Sequence, residues 1–214
     1  DKIININSSD LVDFSSKKYA HALVEVVKSE NSKIIILSSS PNSKYLGAHL
    51  SGITDSSFVS NVVKLPESTN PFIVKRTCFT NKAFSLTELT SDLKIISITS
   101  NSFGIVEKPN NPKNETLDIK GISTNQKILD IVKESGAVTI ADAEIVVSAG
   151  RGLKGPENWE MIESLAETLG AATACSKPVS DMGWRPHSEH VGQTGKPVSS
   201  NLYIAIGISG AIQH

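Results

Sequence analysis

The chain has 214 residues, 39% of them hydrophobic, and a formal net charge of −1 from 21 Lys and Arg against 22 Asp and Glu. That balance fits a globular protein of one large domain or two small ones and excludes a basic nucleic-acid footprint. No apolar run approaches the roughly 20 residues needed to cross a bilayer, and two cysteines are too few for a disulfide framework. Cys78 and Cys175 read as packing residues of a protein from a reducing compartment.

In chain order, the alternation of Asp1 to Asn7 predicts a strand. Ser8, Ser9 and Asp10 are caps for a helix running to about Ser29, with Tyr19, Leu23, Val26 and Val27 on one face. Lys33 to Leu37 is a short buried strand, Asn42 onward a helix, and Asn61 to Leu65 another strand. This alternation argues for a parallel α/β sheet. Phe72 to Cys78 and Ala83 to Leu89 flank a turn at Thr80, Asn81 and Lys82, and Lys94 to Ile98 follows, which predicts an attached meander. Glu107 to Asn114, rich in Pro and Asn, reads as a connector, and Leu117 to Ile140 is weakly patterned, with a helix or strand around Gln126 to Lys133. The domain boundary is placed near Ala141.

The pattern sharpens at Glu144. Ile145 to Val147 is a strand that runs into Gly150-Arg151-Gly152-Leu153-Lys154-Gly155, a G-x-G-x-x-G turn. Pro156 suits a first helical position, Trp159, Ile162, Leu165 and Leu169 form an apolar stripe, and Gly170 is a stop. Strand, glycine turn and helix together are what dinucleotide binding needs, with the pyrophosphate at a helix N-terminus. A nicotinamide site expects an acid about 20 residues on, at the next strand tip. After the strand Ala171 to Cys175 stand Ser176, Lys177 and Pro178 instead. A third strand tip is expected at Gln193-Thr194-Gly195-Lys196. The apolar run Leu202 to Ile208 reads as a fully buried strand after the turn residues Gly192, Gly195 and Pro197, and it ends at a fourth tip, Ser209-Gly210, followed by a first helical turn. Tips carrying Gly, a hydroxyl and a cation at the carboxyl ends of one sheet suit a phosphate or an electron-rich ring. The bland alternative is that they are only tight turns.

Other residues are weaker candidates. His187 and His190 have metal-like spacing, but Pro186 argues for a loop and no third ligand accompanies them. His21 and His49 sit on predicted helices as surface or packing residues. Trp184 and Arg185 form either an exposed contact or a lid packed on their own domain.

The stretches SAGRGLKGPENW, ACSKPVSD, VGQTGK and LYIAIGISGAIQH resemble the flavin-binding domain of the electron transfer flavoprotein alpha subunit, bacterial type. LSSSPNSKYLGAHL and KRTCFTNKAF are similar to the later part of that family's first domain, so the resemblance covers nearly the whole chain and places it as a piece lacking both ends. It implies an α/β fold in two parts. Residues 1–140 would be a partial nucleotide-hydrolase-like α/β domain with a connector, and residues 141–214 a truncated parallel α/β FAD-binding domain of Rossmann-like, DHS-like type. It further implies a cytoplasmic FAD carrier, paired with a beta subunit in a heterodimer. That carrier takes electrons from flavin dehydrogenases, notably of acyl-CoA in fatty acid beta-oxidation, and passes them to a quinone reductase, without membrane insertion. The resemblance thus implies an electron carrier rather than a substrate-converting enzyme. The alternative is a nicotinamide-dinucleotide-binding oxidoreductase domain.

Carried over by position, the FAD contacts are Arg151, Ser176, Lys177, Val191, Gly192, Gln193, Thr194, Ser209, Gly210, Ala211, Ile212, Gln213 and His214. The resemblance puts Thr194 at the flavin N5 edge, Gln193 at the ribityl chain, Ser209 at the pyrophosphate and His214 near N1/O2. Two residues depart from the family pattern. Ala149 replaces a glycine, and Lys177 stands where most members have Arg, a compact charge in place of a planar fork. The isolated chain is expected to hold FAD poorly.

Overall fold

The structure is a computed structural model and describes residues 1–79, 82–126, 128–130, 138–140, 143–196 and 198–211. The chain forms two compact units, Asp1–Val132 and Lys133–His214, and its fold is mixed α/β.

In the first unit, β2 (Ile34–Leu37), β7 (Lys94–Ile98) and β3 (Ser57–Val62) run parallel in that spatial order. β5 (Phe72–Cys78) continues the sheet antiparallel to β3, with β4 (Ser68–Thr69) and β6 (Ala83–Leu89) antiparallel on it. Helices α1 (Ser16–Glu30) and α2 (Pro41–Thr54) supply Ala20, Leu46 and Leu50, which pack on Ile35, Leu37, Phe58 and Ile95. Successive strand residues point to opposite faces, so Ile96, next to Ile95, joins a second cluster with Val59, Val62, Phe72, Val74 and Leu89. β1 (Lys2–Asn7) and β8 (Lys113–Asp118) form a separate parallel pair.

Several expectations for this unit are corrected. The segment after Ser8 is a single 3₁₀ turn, Ser9–Leu11, and α1 starts afresh after Ser15, because Ser8 spends its hydroxyl on the Asp10 N–H within that turn. The third strand spans Ser57–Val62 rather than Asn61 to Leu65. Its register shifts between Val59 and Val62, and Asn61 lies in that irregular stretch at φ 61°, where the apolar alternation is lost. β5 and β6 make the expected hairpin, but β7 returns to lie between β2 and β3, so there is no meander. A strand as apolar as β7, with Ile95, Ile96 and Ser97 buried, belongs in the sheet centre. The expected connector Glu107 to Asn114 ends early, since Lys113 and Asn114 already pair with β1. Thr80 and Asn81 of the hairpin turn, Lys127 and 131–133 of the uncertain segment, and Ala141 lie outside the described residues.

The second unit has a three-stranded parallel sheet of spatial order β10 (Ala172–Cys175), β9 (Ile145–Ala149), β11 (Leu202–Ile206). After β9 come 3₁₀ turns at Arg151–Leu153 and Pro156–Asn158, then α3 (Glu160–Leu169), stopped by Gly170 at φ 61°. Helix α3 buries Ile162 and Ala166, with Trp159 before it, against Val147, Ala149, Cys175 and Val179. The short α4 (Lys177–Asp181) follows β10, and Trp184 packs on the same core. The Arg185 guanidinium donates to Glu189 at 2.6 and 2.8 Å and to Glu163 at 2.7 Å, and lies 5.4 Å from the Trp159 ring. The Trp184-Arg185 pair is therefore a lid on its own unit.

Two strand expectations fail here. β11 ends at Ile206 and is an edge strand, with Leu202 48% exposed, so it is not fully buried. Gln193 to Lys196 follow no strand. Residues 190–196 are a tight turn held by isolated bridges between Cys175 and His190 and between Val191 and Lys196. Pro197 and the residues 212–214 of the expected helical turn lie outside the described residues.

What fixes the sheet's carboxyl end is contact between backbones. Gly150 N–H donates to the Ile206 carbonyl at 2.9 Å, and Gly152 N–H to the Gly207 carbonyl at 2.8 Å. A Cβ at Gly152 would sit 2.6 Å from Gly207 Cα, one at Gly150 would collide with the Gly207 carbonyl oxygen, and Gly207 itself sits at φ +62°. Gly152→Ala is expected to cost about 1–3 kcal/mol, because the obstacle is backbone and cannot rotate away. Ile162→Ala, at a fully buried site, is expected to cost about 2–5 kcal/mol. Denaturant titration followed by tryptophan fluorescence checks both, since the only two tryptophans, Trp159 and Trp184, lie in this unit.

Candidate functional site

The carboxyl ends of the three parallel strands open into a cleft of about 270 Å³ lined by Arg151, Gly152, Ser176, Pro178, Gly207, Ile208 and Ser209. Each wall leaves a strand tip. Arg151 begins the 3₁₀ turn after β9 and is exposed, its guanidinium making no described hydrogen bond or ion pair. Ser176 is the N-cap of α4, but its hydroxyl makes no cap bond, and its N–H is anchored to the Ala149 carbonyl at 3.1 Å. The third wall, Gly207 to Ser209, leaves β11, and the Ser209 hydroxyl accepts the Ala211 N–H at 3.4 Å.

Three of the residues predicted from the sequence thus meet at one cleft: Arg151, Ser176 and Ser209. Gly210 and Ala211 continue from Ser209, both exposed. Lys177, exposed at the first position of α4, is not among the walls. Gly192, Gln193 and Thr194 lie in the 190–196 turn, with Gln193 and Thr194 exposed at its tip and Gly192 at φ 114°. Val191 differs from these. Its side chain is 2% exposed in a cluster with Val146, Ala172 and Ala174, and its N–H donates to the Cys175 carbonyl at 3.1 Å. Ile212, Gln213 and His214 lie outside the described residues. Sequence reasoning missed Gly207 as a wall. The signal was present, because a lone glycine in an apolar strand pattern marks a close backbone approach.

The cleft has the chemistry of an anion and hydroxyl binder. A guanidinium and an uncommitted hydroxyl face the same space as the Gly207 to Ser209 backbone, and charge-assisted bonds to phosphate are the strong ones. The donor set therefore fits the pyrophosphate region of a dinucleotide, and the glycines at 152 and 207 let the backbones of two of its walls touch. The Gly150 and Gly152 amides, however, are spent on Ile206 and Gly207 and are turned away from any ligand. Burial, with the Glu189 charge adding to it, pushes the Cys175 thiol up to about 11, so it stays a packing thiol. Burial likewise pushes the Tyr203 phenol up, and its hydroxyl shares a hydrogen bond with the buried Ser148 of β9. Among the described residues no group of three or more His, Cys, Asp and Glu could hold a metal ion. No described helix is long and apolar enough to cross a membrane.

Comparison with known proteins agrees with this geometry. Residues 139–214 match the profile of the electron transfer flavoprotein FAD-binding domain, and residues 1–124 that of the electron transfer flavoprotein domain. The electron transfer flavoprotein subunit alpha of Bacillus subtilis is 29% identical over 217 residues, covering 100% of this chain and 67% of its own length. That of Pseudomonas aeruginosa is 31% identical over 205 residues, covering 92% of this chain and 65% of its own. That of Thermoanaerobacterium thermosaccharolyticum is 47% identical over 98 residues, 45% of this chain and 30% of its own. The chain thus spans about two thirds of the length of the relatives it matches throughout. With both units matched, the chain belongs to the electron transfer flavoprotein alpha-subunit family.

Proposed function

We propose that this chain is the FAD-holding part of a heterodimeric electron carrier, paired with a beta subunit. It receives electrons from flavin dehydrogenases, such as those of acyl-CoA, and delivers them to a quinone reductase, working in the cytoplasm of a bacterium. In this reading residues 141–214 hold the cofactor and residues 1–140 form the other domain. The observation that supports it most is the meeting of Arg151, Ser176 and Ser209 at one cleft within the stretch that matches an FAD-binding domain.

FAD supplies the electron-accepting and electron-donating chemistry when bound. The chain's own residues bind and orient. Arg151 would neutralise phosphate charge, Ser176 and Ser209 would offer hydroxyls, and the backbone from Gly207 through Ala211 would line the pyrophosphate side of the site. Lys177 places a cation beside the cleft, and Gln193 and Thr194 present polar groups from the 190–196 turn, with Gly192 giving the turn its shape. Val191 anchors that turn and has only its carbonyl to offer. Ile212, Gln213 and His214 complete the contact set that the family resemblance implies.

The nicotinamide alternative loses support on two observations. A fingerprint turn aims its amides at a pyrophosphate, whereas the Gly150 and Gly152 amides here are donated to Ile206 and Gly207. The tip of β10 also carries Ser176 and Lys177 where a ribose-binding acid belongs.

Co-expression of the full-length alpha subunit with its beta partner, followed by visible spectroscopy and mass identification of the cofactor, tests the proposal. A yellow heterodimer with bound FAD, reduced by an acyl-CoA dehydrogenase, is expected. A colourless one retaining a nicotinamide dinucleotide would overturn it. In that heterodimer, Arg151→Ala is expected to weaken FAD binding by about 1.5–3 kcal/mol, the worth of a hydrogen bond to a charged group, measured by calorimetry. Lys177→Met is expected to keep FAD bound but lower its reduction potential, because the reduced, more negative ring loses a nearby cation. Spectroelectrochemical titration checks the shift, and coincident potentials would mean that Lys177 points away from the flavin.

A further inference from the structure

His190 is a buried polar residue, 8% exposed, that the cofactor reading leaves unused. It sits where three parts of the second unit converge. Its backbone bridges Cys175 at the end of β10, and the next N–H, of Val191, donates to the Cys175 carbonyl at 3.1 Å. The His190 carbonyl accepts the Lys196 N–H at 2.8 Å, closing the turn that carries Gln193 and Thr194. The ring lies against the same turn. A Cβ added at Gly195 would collide with the His190 carbonyl and come within 2.9 Å of its ring Cδ2. His190 also feels the charges of α4, Lys177 at its first residue and Asp181 at its last.

We propose that His190 is a positioning residue of the cofactor site: its buried imidazole, seated against Gly195 with its carbonyl closing the turn at Lys196, sets the geometry of residues 192–196. The inference rests on the FAD reading above. It gives the turn a reason to be ordered, since Gly192 and Gly195 flank its exposed tip and supply no packing of their own. Burial in this place disfavours the charged form of the ring. Burial first, then Lys177 of α4 and His187 of the same segment, push the imidazole below its usual range, and Asp181 of α4 opposes them only in part.

The sign of the pH dependence follows. A histidine with a folded-state pKa below its unfolded value contributes fully above about pH 6.5, and that contribution is lost as pH falls through the lower folded value. Acidification should charge the ring, shift the 192–196 turn and loosen the cofactor. His190→Gln keeps a neutral polar side chain of similar reach at every pH, whereas His190→Ala leaves a gap.

The test measures FAD dissociation from the heterodimer at several pH values for wild type and both variants. For wild type the Kd is expected to rise at least about threefold between about pH 7.5 and about pH 5.5, more steeply than for His190→Gln. His190→Ala should bind more weakly throughout, and His190→Gln should restore binding at neutral pH. Identical pH profiles for wild type and His190→Gln, or an alanine variant that binds like wild type, would overturn the proposal. If none of the three binds FAD at any pH, the FAD reading fails instead. Amide exchange of the 214-residue chain then decides the role of His190: unchanged exchange across residues 192–196 in His190→Ala overturns it, and faster exchange confined to that turn upholds the positioning.

Discussion

Two backbones touching at the mouth of the second unit govern everything that can be built there. The turn after β9 lies so close to the exit of β11 that Gly150 and Gly152 leave no space for a side chain, while Gly207 sits in tight contact at φ +62°. The two hydrogen bonds joining them are modest individually, about 0.5–1.5 kcal/mol net each. Their larger effect is directional. They commit the amides of a glycine turn that, in a nicotinamide fold, would point at phosphate. The burden of binding an anion then falls on side chains and on the opposite wall, and those are the places where Arg151, Ser176 and Ser209 stand. The same glycine spacing can therefore serve two different sites, and only the destination of its N–H groups separates them.

The rest of the unit keeps this contact in register. The core of Val147, Trp159, Ile162, Ala166 and Val179 presses α3 and α4 against the sheet, fixing where both turns begin. Arg185 closes the edge of that core. An exposed ion pair is worth only about 0.2–1 kcal/mol, but Arg185 and Glu189 are mostly buried, with side chains 21% and 16% exposed, and the guanidinium also covers the Trp159 ring. It joins α3, through Glu163, to the 3₁₀ turn His187–Glu189, the segment that delivers His190 to its place beside Gly195. Packing, ion pairing and the 190–196 turn form one chain of dependence.

Local chemistry explains what was legible in the sequence. The elements around β9, α3 and β10 could be read because caps, an apolar stripe and a stop agreed with one another, from Pro156 through Gly170. Arg151, Ser176 and Ser209 could be placed at one end of a sheet because strand tips of a parallel sheet share an edge. The failures lie where tertiary contacts overrule local pattern. Nothing in Lys94 to Ile98 says that this strand returns between β2 and β3, since strand order is decided by long-range pairing. Leu202 to Ile208 looked buried because an apolar run on an edge strand reads like one in a centre. The turn at residues 190–196 imitated a strand tip because Gly, Thr and Lys in sequence do not reveal whether the preceding residues pair along a strand or through single bridges.

That turn also shows how a loop can be fixed at its base and free at its tip. Val191 contributes its side chain to the core and its N–H to Cys175, so the base of the turn is as ordered as the sheet. Two residues later Gln193 and Thr194 are exposed, and the return is closed by backbone bonds from Gly195 to Gly192 at 3.0 Å and from Lys196 to His190 at 2.8 Å. The tip has almost no apolar surface of its own to bury, so its geometry must be imposed from below. Side chains held this way need little ordering when a ligand arrives, and preorganisation of that kind strengthens binding without adding a contact. A change beneath the tip, at Val191, His190 or Gly195, should therefore act on the ligand as strongly as a change in a residue that touches it.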